Sequence, residues 1–173
     1  MERTGYLAVD VGGTEVKWAR VSDGMEIAVG GRTATGFADA GELADAVAAL
    51  FREAGGDVRA VALSCPGTVP GDEAGTVLGG GILRYLDGCQ LGREVAVRCG
   101  VPASVENDGK AAALGEYASG ALKGVRVGSV MVLGTAVGGG IVVDGQVLRG
   151  AHGFAGEYSF VFDEPTPYRG GVA

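Results

Sequence analysis

Short apolar runs bounded by glycine-rich turns fill much of the chain. We predict strands at residues 6–11, 15–21, 26–33, 58–64 and 101–105, because each run has the length and apolar content of a strand. Asp23 and Gly24 separate the second run from the third, and an Asp-Gly pair in this position is typical of a tight hairpin.

After the third strand the spacing of the apolar residues changes. Apolar residues there recur at the spacing of one helical face, at Leu43, Val47, Leu50 and Phe51. Asp39 and Glu42 have the spacing of a capping box, and Gly55 ends the pattern. Further helices are predicted at residues 91–98 and 110–119. Three strands followed by alternating helices and strands indicate a mixed α/β sheet with helices on its faces.

The opening hairpin pattern returns near the end of the chain. Strands at 129–133, 140–143 and 146–148, with Asp144-Gly145 between the last two, repeat the logic of the first hairpin. A repeat of this length predicts two similar lobes, residues 1–122 and residues 123–173. The second is much the shorter. We therefore expect a complete N-terminal lobe and a partial second lobe, as in part of a larger protein or a shortened member of its class.

Composition excludes several classes of protein. The net charge of −7 argues against a nucleic-acid-binding surface, which needs a basic stripe. No apolar segment is long enough to span a membrane, and residues 1–4 lack the features of a signal peptide. The three cysteines have no metal-binding spacing. Together these features predict a cytoplasmic protein with reduced thiols.

The first glycine turn is the first candidate for chemistry. Asp10 lies near the end of the first predicted strand. Gly12, Gly13 and Thr14 follow that strand directly, and Lys17 is three residues further on. Glycines let backbone N–H groups approach a phosphate, a hydroxyl can donate to it, and a carboxylate can stand near a metal ion. Lys17 either adds a positive charge or faces solvent. An ordinary hairpin turn is the alternative for the whole motif.

A second glycine turn occupies the corresponding place in the repeat. It contains the candidate phosphate-binding residues Gly134, Thr135, Gly138 and Gly139. Neither turn is a P-loop or a dinucleotide fingerprint, since both lead into strands and no Gly-Lys-Ser/Thr follows. A hairpin is again the alternative, but two copies in matching places favour a nucleotide phosphate tail held between two lobes.

Two carboxylates, Asp108 and Glu157, are candidates for catalysis on a sugar and for binding it. Asp108 lies where a strand ends and a helix begins, and could accept the proton of an attacking hydroxyl in phosphoryl transfer. The alternative is that Asp108 is the helix N-cap. Glu157 could accept hydrogen bonds from sugar hydroxyls, or be an exposed loop acid. His152, the only histidine, is left out of the catalytic set.

In combination these motifs resemble the ROK family of bacterial sugar kinases and sugar-responsive repressors. The resemblance is carried by the five landmarks Asp10 to Thr14, Pro66-Gly67, Glu106-Asn107-Asp108, the Gly134 to Gly140 turn with Asp144-Gly145, and Gly156-Glu157. It implies the actin-like, ribonuclease-H-like two-lobed fold, with sugar and ATP in the cleft between the lobes. It also implies Mg²⁺-dependent transfer of the γ-phosphoryl group of ATP to a sugar hydroxyl.

The resemblance also assigns roles to residues. Asp108 would be the catalytic base, and Asn107, Asp108, Glu157 and Gly67 would form the substrate-binding set. The phosphates of ATP would be held by Asp10, Gly12, Gly13, Thr14 and Lys17, and by Gly134, Thr135, Gly138 and Gly139 from the second turn. Asp10 is the candidate Mg²⁺ ligand.

Three differences from the usual family sequence bear on which branch of the family this chain resembles. Lys110 stands where the family usually has asparagine, and Ala136 where it usually has glycine. Tyr158-Ser159-Phe160 replaces the usual continuation to a zinc-binding histidine, and no cysteine follows, so we predict no zinc site. A kinase of the glucokinase or β-glucoside kinase type is expected, with a non-catalytic sugar-binding protein as the alternative. Dimers are common in the family, which makes a homodimer compatible with the resemblance.

Overall fold

The computed structural model describes residues 5–55, 58–134 and 137–160. The chain divides into two compact units, and the boundary falls between Glu106 and Asn107. Each unit is a layer of helix against sheet. No helix within the described ranges is long and apolar enough to cross a membrane.

The first unit is built on a mixed five-stranded sheet, and its strands confirm the five predicted from the apolar runs. They are β1 (Gly5–Val11), β2 (Glu15–Ser22), β3 (Ile27–Ala34), β4 (Val58–Cys65) and β5 (Ala103–Asn107). Their order in the sheet is β3-β2-β1-β4-β5, with β1, β2 and β3 antiparallel and β4 parallel to β1. The meander and the parallel crossover match the predicted mixed sheet.

Alternation along β1 decides which side chains face the core. Leu7, Val9 and Val11 are buried, while Asp10 lies on the other, less covered face of the strand. Successive residues of a strand point to opposite faces, so this pattern is the ordinary period of two. It leaves Asp10 accessible at the end of an otherwise apolar strand.

Two helices cover the core of the first unit, α1 (Ala40–Ala54) and α2 (Leu91–Cys99). Asp39 caps α1 as predicted, its Oδ1 accepting from the Glu42 N–H at 2.9 Å. In return the Glu42 carboxylate accepts from the Ala38 N–H at 2.9 Å. These bonds satisfy N–H groups that the helix itself leaves without partners.

The second unit begins with helix α3 (Asp108–Ser119), followed by β6 (Val127–Leu133), β7 (Val137–Val143) and the short β8 (Gln146–Val147). These strands form an antiparallel sheet, and the β6–β7 hairpin pairs Leu133 with Val137. The predicted hairpin is therefore confirmed, although β7 starts three residues earlier than expected. Thr135 and Ala136, in its turn, lie outside the described residues.

Helix α3 differs in two respects from the sequence expectation. It begins at Asp108 rather than at Lys110. It also packs on β6 and β7, so it belongs to the second compact unit, whereas the predicted lobe boundary at residue 122 follows it. Sequence periodicity identifies the helix but does not reveal which sheet it covers.

Candidate active site

Asp10 is held by groups from both neighbouring strands. In the sheet it lies opposite Lys17 of β2 and Ser64 of β4. The Ser64 hydroxyl donates to its Oδ1 at 2.9 Å, and the Lys17 Nζ lies 3.8 Å from its Oδ2. Lys17 Nζ is also 3.6 Å from Glu15 Oε1, and the Lys17 and Asp10 side chains are each half exposed. Lys17 thus pairs with two carboxylates, and a phosphate contact for it stays a prediction.

The turn between β1 and β2 presents backbone donors outward. The Gly12 N–H donates to the Glu15 carbonyl at 3.0 Å, and Thr35 binds the turn from the end of β3, its hydroxyl donating to the Gly12 carbonyl at 2.9 Å. Gly13 and Thr14 are exposed, and their N–H groups have no acceptor among the described residues. A rigid turn with outward N–H groups and a hydroxyl has the donor chemistry that a phosphate requires.

A second glycine-rich stretch of the first unit packs beside the end of β4. Gly67 has a φ of +100°, and a Cβ there would lie 2.9 Å from both the Gly80 nitrogen and the Leu78 carbonyl oxygen. Ile82, from the same stretch, lies against Gly13, where a Cβ would be 3.0 Å from its Cγ2. The glycine at position 67 is therefore explained by packing, and its substrate-binding role stays a prediction.

The start of α3 excludes one of the two interpretations of Asp108, and its role as the base stays a prediction. Asn107, which is 4% exposed, is the N-cap, its Oδ1 accepting from the Lys110 N–H at 3.1 Å. Asp108 is the first helical residue, and the interpretation of Asp108 as the cap is wrong. Its Oδ1 accepts from the Gly109 N–H at 2.8 Å and from the Asn107 Nδ2 at 3.0 Å. The result is an exposed carboxylate held in place at the positive end of a helix.

Close backbone packing joins the first turn of α3 to β7. A Cβ on Gly109 would overlap the backbone of Gly139, and a Cβ on Gly140 would lie 2.8 Å from the Lys110 Cα. No side chain larger than hydrogen fits at these positions without a backbone shift. Asp108, one residue before Gly109, is therefore held on a rigid helix–strand contact.

Glu157 stands on a segment that contacts the same part of β7. Gly156 has a φ of +77°, and a Cβ there would lie 2.9 Å from the Ile141 nitrogen. Its neighbour Glu157 is partly buried, and its Oε1 accepts from the Ser159 hydroxyl at 2.8 Å. The start of α3 and the Glu157 segment, both predicted to bind sugar, thus lie against adjacent residues of one strand.

The second glycine turn combines accessible and packed positions. Gly134 is exposed, and at Gly138 the nearest atom to an added Cβ is the Gly109 Cα at 3.9 Å, so that position has room. Gly139 is buried, and a Cβ there would overlap the Tyr158 ring. Packing alone therefore accounts for Gly139. Thr135 lies outside the described residues, and the phosphate role of this turn stays a prediction.

A magnesium ion near Asp10 would not be enclosed by a cage of protein ligands. The described residues contain no group of three or more His, Cys, Asp or Glu side chains placed to hold a metal ion. Mg²⁺ usually keeps several waters and takes one or two protein carboxylates together with substrate phosphates. Asp10 is half exposed, and its neighbour Lys17 also pairs with Glu15, so an acidic group is accessible there for that mode of binding.

Sequence reasoning missed three residues near these candidates. Ser64 hydrogen-bonds Asp10, Ile82 covers Gly13, and Tyr158 fills the space that Gly139 leaves. No local signal identifies them, since each contact joins segments far apart in sequence.

Burial also raises the pKa of the Cys89 and Cys99 thiols, which favours their neutral form.

The described elements form a mixed α/β fold in which helices pack on two sheets. A model of the ROK family matches residues 6–165, and the chain therefore belongs to the ROK family. A β-glucoside kinase of Listeria innocua is 33% identical over 165 residues, which are 95% of this chain and 55% of that protein. This chain spans about half the length of the curated relatives it matches.

Solved structures of ROK family proteins have a fold similar to that of this chain. A ROK family glucokinase from Streptomyces griseus, in complex with glucose and AMPPNP, has a TM-score of 0.82 and 34% identity, covering 93% of this chain and 51% of that one. A ROK family transcriptional regulator, a homologue of the E. coli MLC protein, has a TM-score of 0.83 and 26% identity, covering 95% of this chain and 43% of that one. The predicted family and fold class are confirmed, and the fold occurs in kinases and regulators alike.

Proposed function

We propose that this chain belongs to an enzyme that phosphorylates a hexose hydroxyl with ATP, and that Asp108 is its general base. Membership of the ROK family and similarity to a β-glucoside kinase and a glucokinase support a sugar kinase. The observation that carries the proposal is the placement of Asp108. It is exposed, it is not needed as the helix cap, and two hydrogen bonds orient its carboxylate.

In this mechanism the chain positions the reactants and moves one proton. ATP with Mg²⁺ supplies the phosphoryl group and neutralises part of its charge. Asp108 accepts the proton of the attacking hydroxyl as the new bond to phosphorus forms. Glu157 accepts hydrogen bonds from other sugar hydroxyls. Asn107 holds the Asp108 carboxylate and belongs to the same substrate-binding set.

The two glycine turns take the nucleotide in this proposal. Gly13 and Thr14 donate to phosphate oxygens, and Asp10 contacts the metal ion. The Gly12 N–H already donates to the Glu15 carbonyl, so Gly12 shapes this turn and is not itself a donor to phosphate. Gly134, Thr135, Gly138 and Gly139 form the second phosphate-binding turn. The outward N–H groups of Gly13 and Thr14 and the room at Gly138 support these roles. A cytoplasmic location and a homodimer remain predictions from the family resemblance.

A panel of hexoses with ATP and Mg²⁺, assayed on the full-length protein, tests the function. In Asp108→Asn the carboxylate is lost while size and helix-start position are kept, and we expect kcat to fall by about 10²- to 10⁴-fold. The matched control is Asp144→Asn, an exposed aspartate of the same unit whose φ of 49° suits asparagine. Its rate should equal that of the wild type.

Two results would contradict the proposal at different levels. If Asp108→Asn keeps the wild-type rate, Asp108 is not the base although the enzyme is a kinase. If the wild type phosphorylates no hexose of the panel, the kinase function itself is wrong.

The second candidate is a sugar-binding protein without catalysis. It is favoured by the ROK transcriptional regulator, whose fold this chain matches as well as it matches the glucokinase. Calorimetric titration separates the two candidates. A regulator-like protein binds sugar but gives no heat with an ATP analogue and Mg²⁺, whereas a kinase binds both.

A further inference from the structure

The ring of Tyr158 packs directly on the backbone of the second sheet. It lies over Gly139 of β7, where an added Cβ would overlap the ring, so glycine is the residue that leaves room for it. A glycine inside a strand often marks a place where another group approaches the backbone closely. Gly139 is buried in this contact, and the ring is partly buried. The sheet and the residue after Glu157 are therefore in close contact.

The hydroxyl of Tyr158 makes a second contact with the same sheet. It shares a hydrogen bond with the hydroxyl of Ser129, on the neighbouring strand β6. Ser129 pairs with Ile141, two residues along β7 from Gly139, so Ser129 and Gly139 lie on one face of the sheet. Tyrosine suits this position because it combines an apolar ring with a polar tip. One side chain thus contacts both strands of the β6–β7 hairpin.

The Glu157 segment (residues 154–159) also has bonds of its own. The Glu157 N–H donates to the Phe154 carbonyl at 3.0 Å, and the Glu157 carboxylate accepts from the Ser159 hydroxyl at 2.8 Å. These local bonds give the segment its shape. Gly156 and Tyr158, on either side of Glu157, are in contact with β7 and fix where the segment lies on the sheet.

We propose that Tyr158 is the positioning residue for Glu157. It anchors the Glu157 segment on β6 and β7, and so holds the Glu157 carboxylate in place for sugar hydroxyls. The inference rests on the proposed function, in which Glu157 binds the sugar. An anchored segment is ordered before the sugar binds, so loss of the anchor should weaken sugar binding and leave the chemical step unchanged.

Hydrogen exchange of the full-length protein without ligand tests the anchor itself. Tyr158→Ala removes the ring and the hydroxyl, and we expect the hydrogen-bonded amides of Ala155 and Glu157 to exchange at least tenfold faster. The matched control is Tyr117→Ala, which removes a partly buried tyrosine that packs on Gly145 of the same unit. Exchange at the two amides should then equal that of the wild type.

Calorimetry and steady-state kinetics test the consequence for the sugar. The probe is the hexose of the panel that the wild type binds most tightly. Tyr158→Ala should raise the Kd and the KM for this hexose about tenfold, while kcat and the KM for Mg·ATP change less than twofold. Tyr117→Ala should keep all four values. If Tyr158 is only structural, both variants lose stability in urea unfolding and neither changes the hexose Kd.

The hydroxyl can be tested alone if Tyr158→Ala fails to fold. Tyr158→Phe keeps the ring and loses the bond to Ser129, and Ser129→Ala loses the same bond from the other side. Each should raise the hexose Kd about 2- to 3-fold. The double variant should be no weaker than either single one, because both remove one interaction. Additive effects would mean that the two hydroxyls act independently, and the inference would fail.

The outcomes separate this inference from the proposed function. Unchanged exchange in Tyr158→Ala, or faster exchange with an unchanged hexose Kd, overturns the positioning role even if the wild type is a hexose kinase. A wild type that binds a hexose through Tyr158 but does not phosphorylate it would keep the positioning role and reject the kinase. If the wild type binds no hexose, Tyr158 has no sugar ligand to position and the inference is overturned.

Discussion

A single hydroxyl determines the orientation of Asp10. Ser64 donates to one carboxylate oxygen of Asp10 at 2.9 Å and leaves the other oxygen facing Lys17 at 3.8 Å. The Asp10 and Lys17 side chains are each half exposed, so the ion pair between them contributes little to stability. In the proposed function, the Ser64 contact holds this carboxylate in place for a metal ion carried by nucleotide phosphates.

Ser64→Ala should weaken use of Mg²⁺ and ATP more than it weakens folding. We expect the KM for Mg·ATP to rise about 3- to 10-fold with kcat changed less than twofold, because orientation is lost and not the base. Ser64→Thr keeps the hydroxyl and should restore the KM. The control is Ser119→Ala, whose hydroxyl bonds only the Gly115 carbonyl on an exposed part of α3.

A role of Ser64 in folding alone would give a different result. The free energy of unfolding would then fall in Ser64→Ala while the KM for Mg·ATP stayed at the wild-type value. Steady-state kinetics at several Mg²⁺ concentrations, together with urea unfolding, separate the two cases.

At the scale of elements, the start of α3 joins a helix cap to the carboxylate that is proposed as the general base. The Asn107 side chain caps the helix with one atom and holds Asp108 with another. The cap of α1 offers a comparison. Asp39 makes the same kind of capping bond, to Glu42, and is far in sequence from the candidate site residues. The two caps allow stability and function to be tested separately.

Replacing either cap by alanine should cost similar stability. We expect Asn107→Ala and Asp39→Ala each to lower the free energy of unfolding by about 1 kcal/mol, measured by urea denaturation. Only Asn107→Ala should also lower kcat, because Asp108 loses the Nδ2 bond that orients its carboxylate. Equal kcat in the two variants would show that Asn107 acts only as a cap.

The elements themselves could be predicted well from sequence, and their details could not. The apolar runs predicted every main strand, and the Asp39–Glu42 spacing predicted the start of α1. The start of α3 was misplaced by two residues because Asn107 and Asp108 are equally good caps in principle. Only the structure shows that Asn107 takes the Lys110 N–H.

The sequence proposes residues for the candidate site but does not predict the contacts that support them. Ser64 meets Asp10 because β1 and β4 pair in parallel, and the two residues are 54 positions apart in the sequence. Gly139 was expected to be glycine for a phosphate, whereas its contact with Tyr158 is a sufficient reason. Glycine has several physical uses, and a single sequence does not distinguish among them.

For the whole molecule, partly buried thiols link stability to pH. Burial raises the pKa of Cys89 and of Cys99 above the value that each thiol has in the unfolded chain. Between the ordinary thiol pKa, about 8.5, and the raised values, the unfolded chain loses protons that the folded chain keeps. The stability that these thiols contribute is therefore complete below that range and is lost as pH rises through it.

Urea unfolding under reducing conditions from pH 7 to about pH 9.5 tests this expectation. The free energy of unfolding of the wild type should decline at the alkaline end, and the doubly substituted Cys89→Ala, Cys99→Ala protein should decline less. Tyr85→Phe is the control, since burial raises the pKa of Tyr85 from a value already near 10 and places its titration above this window. An unchanged slope in the double variant would show that other groups, and not these thiols, make the folded molecule sensitive to alkali.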